Sequence, residues 1–80
     1  MISEYIQYAL EKARYEILPD DNTYYGEIPG FRGVWANAGT LETCRRELQE
    51  TLEEWILIRL RMNKKVPKVK GIDLNVKKAV

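Results

Sequence analysis

The residues of this sequence that could perform chemistry are acidic. Its 80 residues include no His and one Cys, Cys44, which excludes His-containing metal sites, the usual general base near neutral pH and an internal disulfide. Two-metal hydrolysis needs several carboxylates converging within a few ångströms. The strand and turn carboxylates are too scattered along the chain to predict this: Glu16, Asp20, Asp21, Glu27 and Asp73. We therefore expect a protein that is not an enzyme, with no catalytic residue, metal or cofactor.

The elements that carry these residues begin with a short helix and a β-hairpin. Apolar residues recur at helical spacing over residues 3–13, and Ser3 is an acceptable N-cap. Residues 14–18 and 23–28 have strand-like composition, and the Pro-Asp-Asn-rich segment 19–22 between them is typical of a turn. Two strands joined by a short polar turn favour an antiparallel hairpin.

Glycine and proline mark the boundaries of a third strand. Pro29 and Gly30 end the second strand, Gly33 precedes a strand at residues 34–37, and Gly39 ends it. Glycine permits backbone angles that a Cβ disfavours, and proline has no amide hydrogen to donate to a further strand. Neither phosphate-binding glycine motif is present. We therefore predict that these four residues have a structural role in turns.

The strongest single element is a helix over residues 41–62, with Thr40 as its N-cap. Its charged side is rich in Glu and Arg, and its apolar stripe is formed by Leu41, Cys44, Leu48, Leu52 and Trp55. Cys44 is accordingly expected to be a small core residue. Past Trp55, apolar residues surround most of the helix: Ile56, Leu57, Ile58 and Leu60. Such a helix end is buried on several sides, so we expect it to contact another polypeptide.

Two aromatic rings are predicted on the sheet face opposite the long helix. If Gly26 and Ala36 face the helix, alternation along the strands points Tyr25 and Trp35 away from it. Either the N-terminal helix covers these rings, or a second subunit or partner does, because aromatic residues are enriched at interfaces. The candidate residues of an oligomer or partner interface are Tyr25, Trp35, Ile56, Leu57, Ile58 and Leu60.

The charge is distributed unevenly. Residues 1–60 carry 6 Lys/Arg and 11 Asp/Glu, a formal charge of −5, whereas residues 61–80 carry 7 Lys/Arg and 1 Asp, a charge of +6. The lysines of this basic segment are Lys64, Lys65, Lys68, Lys70, Lys77 and Lys78. They could contact nucleic-acid phosphates, pair with the acidic body of a neighbouring subunit, or be solvated charges that protect an edge strand.

Together these elements predict one α+β domain over residues 1–80, in the order α-β-β-β-α-β. It comprises an N-terminal helix (1–13), a central meander and long helix (14–62), and a basic connector with a last strand (63–80). The strict alternation at residues 72–76 predicts that strand, which would return to pair with the three-stranded antiparallel meander while the long helix covers one face.

Size and composition indicate where such a domain works and how it is stabilised. So small a domain gains stability by association, which favours a homo-oligomer, either a dimer or a tetramer. A single Cys, no apolar run near the ~20 residues that span a bilayer and no signal-peptide pattern favour a cytoplasmic protein without membrane contact.

Residues 20–55 resemble the signature of the HicB-like antitoxin family, of the UPF0150 type. The shared pattern is an acidic turn (20–22), a strand, a Pro-Gly-Phe-Arg-Gly segment (29–33), another strand, and Gly-Thr-Leu-Glu (39–42) opening a Glu-rich helix. The resemblance implies a partial ribonuclease H-like fold without that enzyme's catalytic function. It also implies binding to a small ribonuclease toxin, HicA, whose action the antitoxin blocks.

Many members of that family also carry a C-terminal DNA-binding domain that represses their own operon. Here only residues 77–80 follow the last predicted strand, too few for a helix-turn-helix module, so we expect no dedicated DNA-binding domain and leave DNA binding open. The predicted function is that of a bacterial-type antitoxin that occludes a HicA-type mRNA interferase. The alternatives are a stand-alone homo-oligomeric interaction protein and a weak nucleic-acid binder that uses the basic segment.

Overall fold

The computed structural model describes residues 2–75, which form two helices and a three-stranded sheet. The elements are α1 (Ile2–Glu11), β1 (Arg14–Leu18), β2 (Thr23–Glu27), β3 (Trp35–Ala38) and α2 (Leu41–Arg61). This arrangement confirms the predicted α+β class and the order α-β-β-β-α. Neither described helix combines the length and the apolar character needed to cross a membrane.

The three strands form an antiparallel sheet in the order β1-β2-β3. Gly26 in the central strand lies opposite Tyr15 of β1 and Ala36 of β3. The turn between β1 and β2 closes with the amide of Asn22 donating to the carbonyl of Leu18 at 2.9 Å, and Asn22 takes a φ of 56°. Asn is among the few residues that adopt this left-handed conformation readily, so the hairpin forms where the sequence predicts it.

The prediction of a last strand that returns to the sheet is wrong for residues 72–75, because these residues do not join the sheet. Val69 and Ile72 instead form an isolated antiparallel bridge, with hydrogen bonds of 3.2 and 2.8 Å. Both residues between them have positive φ, 45° and 79°, so the chain reverses immediately, as in the tight turns of hairpins. The segment therefore pairs with its own neighbour rather than with the sheet. Val76, the end of the predicted strand, lies outside the described residues.

Helix α2 packs on β2 and β3 and supplies much of the core. Its N-cap is confirmed, since the Thr40 hydroxyl accepts a hydrogen bond from the amide of Thr43 at 3.1 Å. Its buried residues are Cys44, Leu48, Leu52 and Ile56, each about one helical turn from the next. The Sγ atom of Cys44 lies 3.6 Å from the carbonyl oxygen of Ala36, in agreement with its predicted place in the core.

The apolar stripe on α2 takes a different course from the predicted one, and this corrects the predictions for Leu41 and Ile56. Leu41 is 39% exposed, and the stripe continues into Ile56, which is only 3% exposed, while Trp55 lies at its edge. Ile56 is therefore not a surface interface residue, and Leu60 is half-buried against the same core. The reason is that a spacing of four residues drifts slowly around a helix, which keeps Ile56 in line with Leu52.

Helix α1 packs against α2, on the side of the sheet that α2 covers. Its buried Tyr5 touches the ring of Phe31 edge-on, with centroids 6.3 Å apart, and its hydroxyl donates a hydrogen bond to the carbonyl of Pro67. Val66 and Val69, beyond α2, are also buried. Both ends of the described chain thus complete one core on the helical side of the sheet.

Candidate functional site: the open face of the sheet

The connection between β2 and β3 consists of two successive turns that share Phe31. The amide of Phe31 donates to the carbonyl of Ile28, and the amide of Val34 donates to that of Phe31, each at 3.1 Å. Gly30 and Gly33 hold the third position of each turn with φ of 87° and 91°, the conformation of a type II turn. Pro29, Gly30 and Gly33 therefore lie in turns, where the sequence predicts them.

Phe31 anchors these turns to the long helix. It is buried, and its ring centroid lies 5.3 Å from that of Trp55. The indole nitrogen of Trp55 donates to the carbonyl of Arg32 at 3.1 Å, and the guanidinium of Arg59 lies 4.7 Å from the Trp55 ring centroid. These ring, hydrogen-bond and cation–π contacts attach the loop to α2, just before β3 begins.

Gly26, rather than Gly39, is the glycine that packing requires. A Cβ at Gly26 would lie 2.7 Å from ring atoms of Tyr15 and 3.3 Å from the Sγ of Cys44. A Cβ at Gly39 would meet no atom within 4 Å, and Gly39 lacks a positive φ. The prediction that Gly39 adopts an unusual backbone angle is therefore wrong. The signal available in the sequence was a lone glycine inside a strand, which often marks a close approach.

The opposite face of the sheet displays a pair of stacked aromatic rings. Tyr25 and Trp35 lie 6.2 Å apart with their planes inclined by 23°, and Trp35 is 55% exposed. Because α1 packs on α2 instead, the alternative in which the N-terminal helix covers these rings is wrong. Within residues 2–75, the rings remain open to a partner.

Carboxylates flank this aromatic pair. Glu16 lies directly opposite Tyr25 in the sheet, and Glu27 lies directly opposite Trp35. Partial burial raises the pKa of Tyr25, and the negative charges of Glu27 and Glu16 raise it further. Arg14, which is paired with Glu27 in the register, is the one cation of the same face among the described strands. Two rings beside two carboxylates favour a cationic side chain and repel phosphate.

The rim of this open face is held by polar contacts. Asn37 donates from Nδ2 to the hydroxyl of Thr23 at 2.8 Å and to the carbonyl of Tyr24 at 2.9 Å. Thr23 in turn donates to Asp21 from its amide and its hydroxyl, at 3.1 and 2.7 Å. These bonds lower the pKa of Asp21. Asp21 therefore serves the turn between β1 and β2. Residues 2–75 hold no cluster of three or more acidic, Cys or His side chains able to bind a metal.

The turns and strands around this face lie within the range of a family match. The model of the UPF0150-like family matches residues 4–67, which include all three strands, both linked turns and all of α2. The chain belongs to the UPF0150-like family. The assignment agrees with the HicB-like resemblance of residues 20–55.

A solved relative has the same architecture as this UPF0150-like chain. It is the protein TTHA0281 of Thermus thermophilus, which superimposes with a TM-score of 0.86 at 35% sequence identity. The match covers 96% of this chain and 95% of the relative. No curated protein matches the chain.

The UPF0150-like chain has a second exposed apolar surface, on α2. Leu57 and Ile58 are 56% and 54% exposed, and Met62, which is not among the predicted interface residues, is exposed beside them. The predicted interface residues therefore fall into two separate groups, since Tyr25 and Trp35 lie on the sheet face that α2 does not cover.

The basic segment of this UPF0150-like protein lies along the helical side. Lys64, Lys65 and Lys68 are exposed. Lys70 instead forms a salt bridge with Glu11 at 3.3 Å, and its ammonium lies 4.6 Å from the ring centroid of Tyr8. One predicted lysine is thus paired within its own chain. Lys77 and Lys78 lie outside the described residues.

Proposed function

We propose that this protein is an antitoxin that binds a small HicA-type ribonuclease toxin and blocks its access to mRNA. Membership of the UPF0150-like family supports the class of protein. The observation that carries the proposal is the open face of the sheet, where the Tyr25–Trp35 stack lies beside Glu16 and Glu27. The proposal places the protein in the cytoplasm, with the toxin's RNA substrate.

The physical basis is charge and ring chemistry matched to an RNA-binding partner. A ribonuclease that holds RNA presents Lys and Arg to phosphates. Glu16 and Glu27 offer carboxylates to those cations, and the rings of Tyr25 and Trp35 offer stacking surfaces to a guanidinium. Trp, Tyr and Arg dominate the energetic centres of protein interfaces. Binding here would cover the toxin's cationic surface, so neutralisation requires no bond-breaking step.

The test is co-expression with a HicA-type toxin, read out as growth and as co-purification. Trp35→Ala removes the exposed ring, and we expect affinity for the toxin to fall by about 10-fold or more, as for a central aromatic contact. Glu16→Lys with Glu27→Lys should weaken binding further and reduce its salt dependence. Ile17→Ala is the matched control, because Ile17 is equally exposed but lies on the other face of β1.

Two outcomes would contradict the proposal. One is that the unaltered protein neither restores the growth of cells that express a HicA-type toxin nor co-purifies with that toxin. The other is that binding persists unchanged in Trp35→Ala and in the double charge reversal while Ile17→Ala reduces it. Circular dichroism on each variant separates loss of binding from loss of fold, since all these side chains are on the surface.

A further inference from the structure

The exposed face in the C-terminal half of α2 is symmetric about its apolar centre. Leu57 and Ile58 are both more than half exposed. Glu54 precedes Leu57 by three residues and Arg61 follows Ile58 by three residues, and both are exposed. Within residues 2–75, neither Glu54 nor Arg61 has an ion-pair partner. The order along the helix axis is therefore an acid, an apolar pair and a base.

Helix geometry places the four side chains on one surface. Residues seven apart are two turns apart and lie nearly in line, so Glu54 and Arg61 define a line on the outer side of α2. Leu57 and Ile58 are about 100° apart around the axis and flank that line on either side. This is the surface of α2 turned away from its buried stripe of Leu48, Leu52 and Ile56.

We propose that this face of α2 is a homodimer interface, on which the same face of a second copy docks antiparallel about a two-fold axis. The axis passes between Leu57 and Ile58. In this arrangement Glu54 faces Arg61 of the second copy, and the relation occurs twice because the interface is isologous. Leu57 and Ile58 each meet their own counterpart and are withdrawn from water. A parallel pairing would instead oppose Glu54 to Glu54, so the charges select the antiparallel one.

The charge pattern favours a second copy over another occupant. The acid and the base are equidistant from the centre, so the surface is complementary to itself. Like-signed charges would have suited a partner of opposite sign. The interface is also on the opposite side of the sheet from Tyr25 and Trp35, so each subunit keeps its open face. The inference therefore does not depend on the proposed antitoxin role.

The size of the patch determines how the dimer should behave. Two helical turns with one apolar pair bury less than the ~1,200 Å² at the lower limit of stable interfaces. We expect a dimer in exchange with monomer at micromolar concentrations. Sedimentation velocity of the full chain from about 1 µM to about 500 µM, a range bracketing that affinity, should show the sedimentation coefficient rising from the monomer value to the dimer value.

Charge exchange within one chain provides the decisive variants. Glu54→Arg alone places Arg against Arg61 of the second copy, and Arg61→Glu alone places Glu against Glu54, so each should raise the dissociation constant about 10-fold or more. The double variant E54R/R61E restores both ion pairs with their polarity reversed and should return to within about 3-fold of the unaltered protein. Glu53→Arg is the matched control, because it makes the same charge change about 90° away around α2 and should leave dimerisation unchanged.

Three results would overturn the proposal. The first is a monomer throughout the concentration range. The second is a dimer that the single charge reversals leave intact. The third is a double variant that remains as dissociated as the single ones. Leu57→Glu gives a separate measurement, because it should abolish the dimer and leave toxin binding in place. If the unaltered protein is a monomer and Leu57→Glu abolishes toxin binding, this face of α2 binds the toxin instead.

Discussion

The hydroxyl of Tyr5 in α1 donates a hydrogen bond to the carbonyl of Pro67, 62 residues further along the chain. The phenol ring itself is buried against Phe31. One side chain thus joins the first helix to the segment that follows the last one. The contact also explains why α1 lies on the helical side of the sheet and leaves the aromatic face open.

The first prediction concerns the stability that this bond contributes. Tyr5→Phe keeps the ring and removes the donor, so we expect the free energy of unfolding to fall by about 0.5–1.5 kcal/mol. For a domain of this size that corresponds to a Tm lower by roughly 5 °C. Thermal unfolding followed by circular dichroism measures it. An unchanged Tm would mean that the bond does not stabilise the native state.

The same residue predicts a loss of stability at high pH. Burial raises the pKa of Tyr5 from 10.0 to about 12, with a smaller contribution from the negative charge of Asp73. The phenol therefore releases its proton more readily in the unfolded chain than in the folded one. The contribution of the protonated Tyr5 phenol to the free energy of unfolding is complete below pH 10 and is lost as the pH rises from 10 through about 12. Urea unfolding at several pH values should show Tyr5→Phe losing less stability over that range.

The second prediction concerns the close approach at Gly26. Gly26→Ala introduces a Cβ 2.7 Å from the Tyr15 ring and 3.3 Å from Cys44, and overpacking of this kind destabilises by about 1–3 kcal/mol. Gly39→Ala is the matched control, because its Cβ meets open space. We expect it to be neutral or slightly stabilising. Equal losses in the two variants, measured by urea unfolding, would contradict the packing argument.

The third prediction concerns the thiol of Cys44. Burial raises its pKa, and the negative charge of Glu47 raises it further. The fraction of thiolate at neutral pH is therefore small, and the sulfur is fully buried. We expect a thiol-specific reagent to label the native protein only through unfolding, with a rate that rises steeply in urea. Rapid labelling without denaturant would place Cys44 outside the core.

The fourth prediction concerns the start of α2. Thr40→Ala removes the hydroxyl that accepts from the amide of Thr43, and loss of such a cap destabilises by about 1 kcal/mol. Thr51→Ala, in the middle of the same helix, is the control. It should be neutral or slightly stabilising, because Ala is the better helix former. A smaller loss in Thr40→Ala than in Thr51→Ala would show that the cap is not needed.

The features that the sequence predicted correctly are local ones. The N-cap at Thr40, the turns at Gly30 and Gly33, and the outward direction of Tyr25 and Trp35 all follow from the conformational preferences of neighbouring residues. Alternation along a strand and spacing along a helix need no knowledge of distant contacts. The open aromatic face was therefore predictable in its residues, although not in its exposure.

The features that were predicted wrongly depend on packing. The alternation of residues 72–76 is compatible with a strand, but a lysine in a left-handed conformation at position 70 turns the chain back on itself. The place of Ile56 in the core similarly depends on which elements surround α2. Neither result is contained in periodicity, because several tertiary arrangements satisfy the same pattern.

By itself, the sequence determined the order of the two helices and three strands, the absence of histidine chemistry and the outward direction of Tyr25 and Trp35. Only the tertiary structure decided that α1 docks beside α2, that Ile56 is buried and that Tyr25 and Trp35 are uncovered. The physical reason is that these outcomes depend on contacts between residues far apart in the chain, such as Tyr5 and Pro67. Such contacts form only where the surfaces of whole elements are complementary.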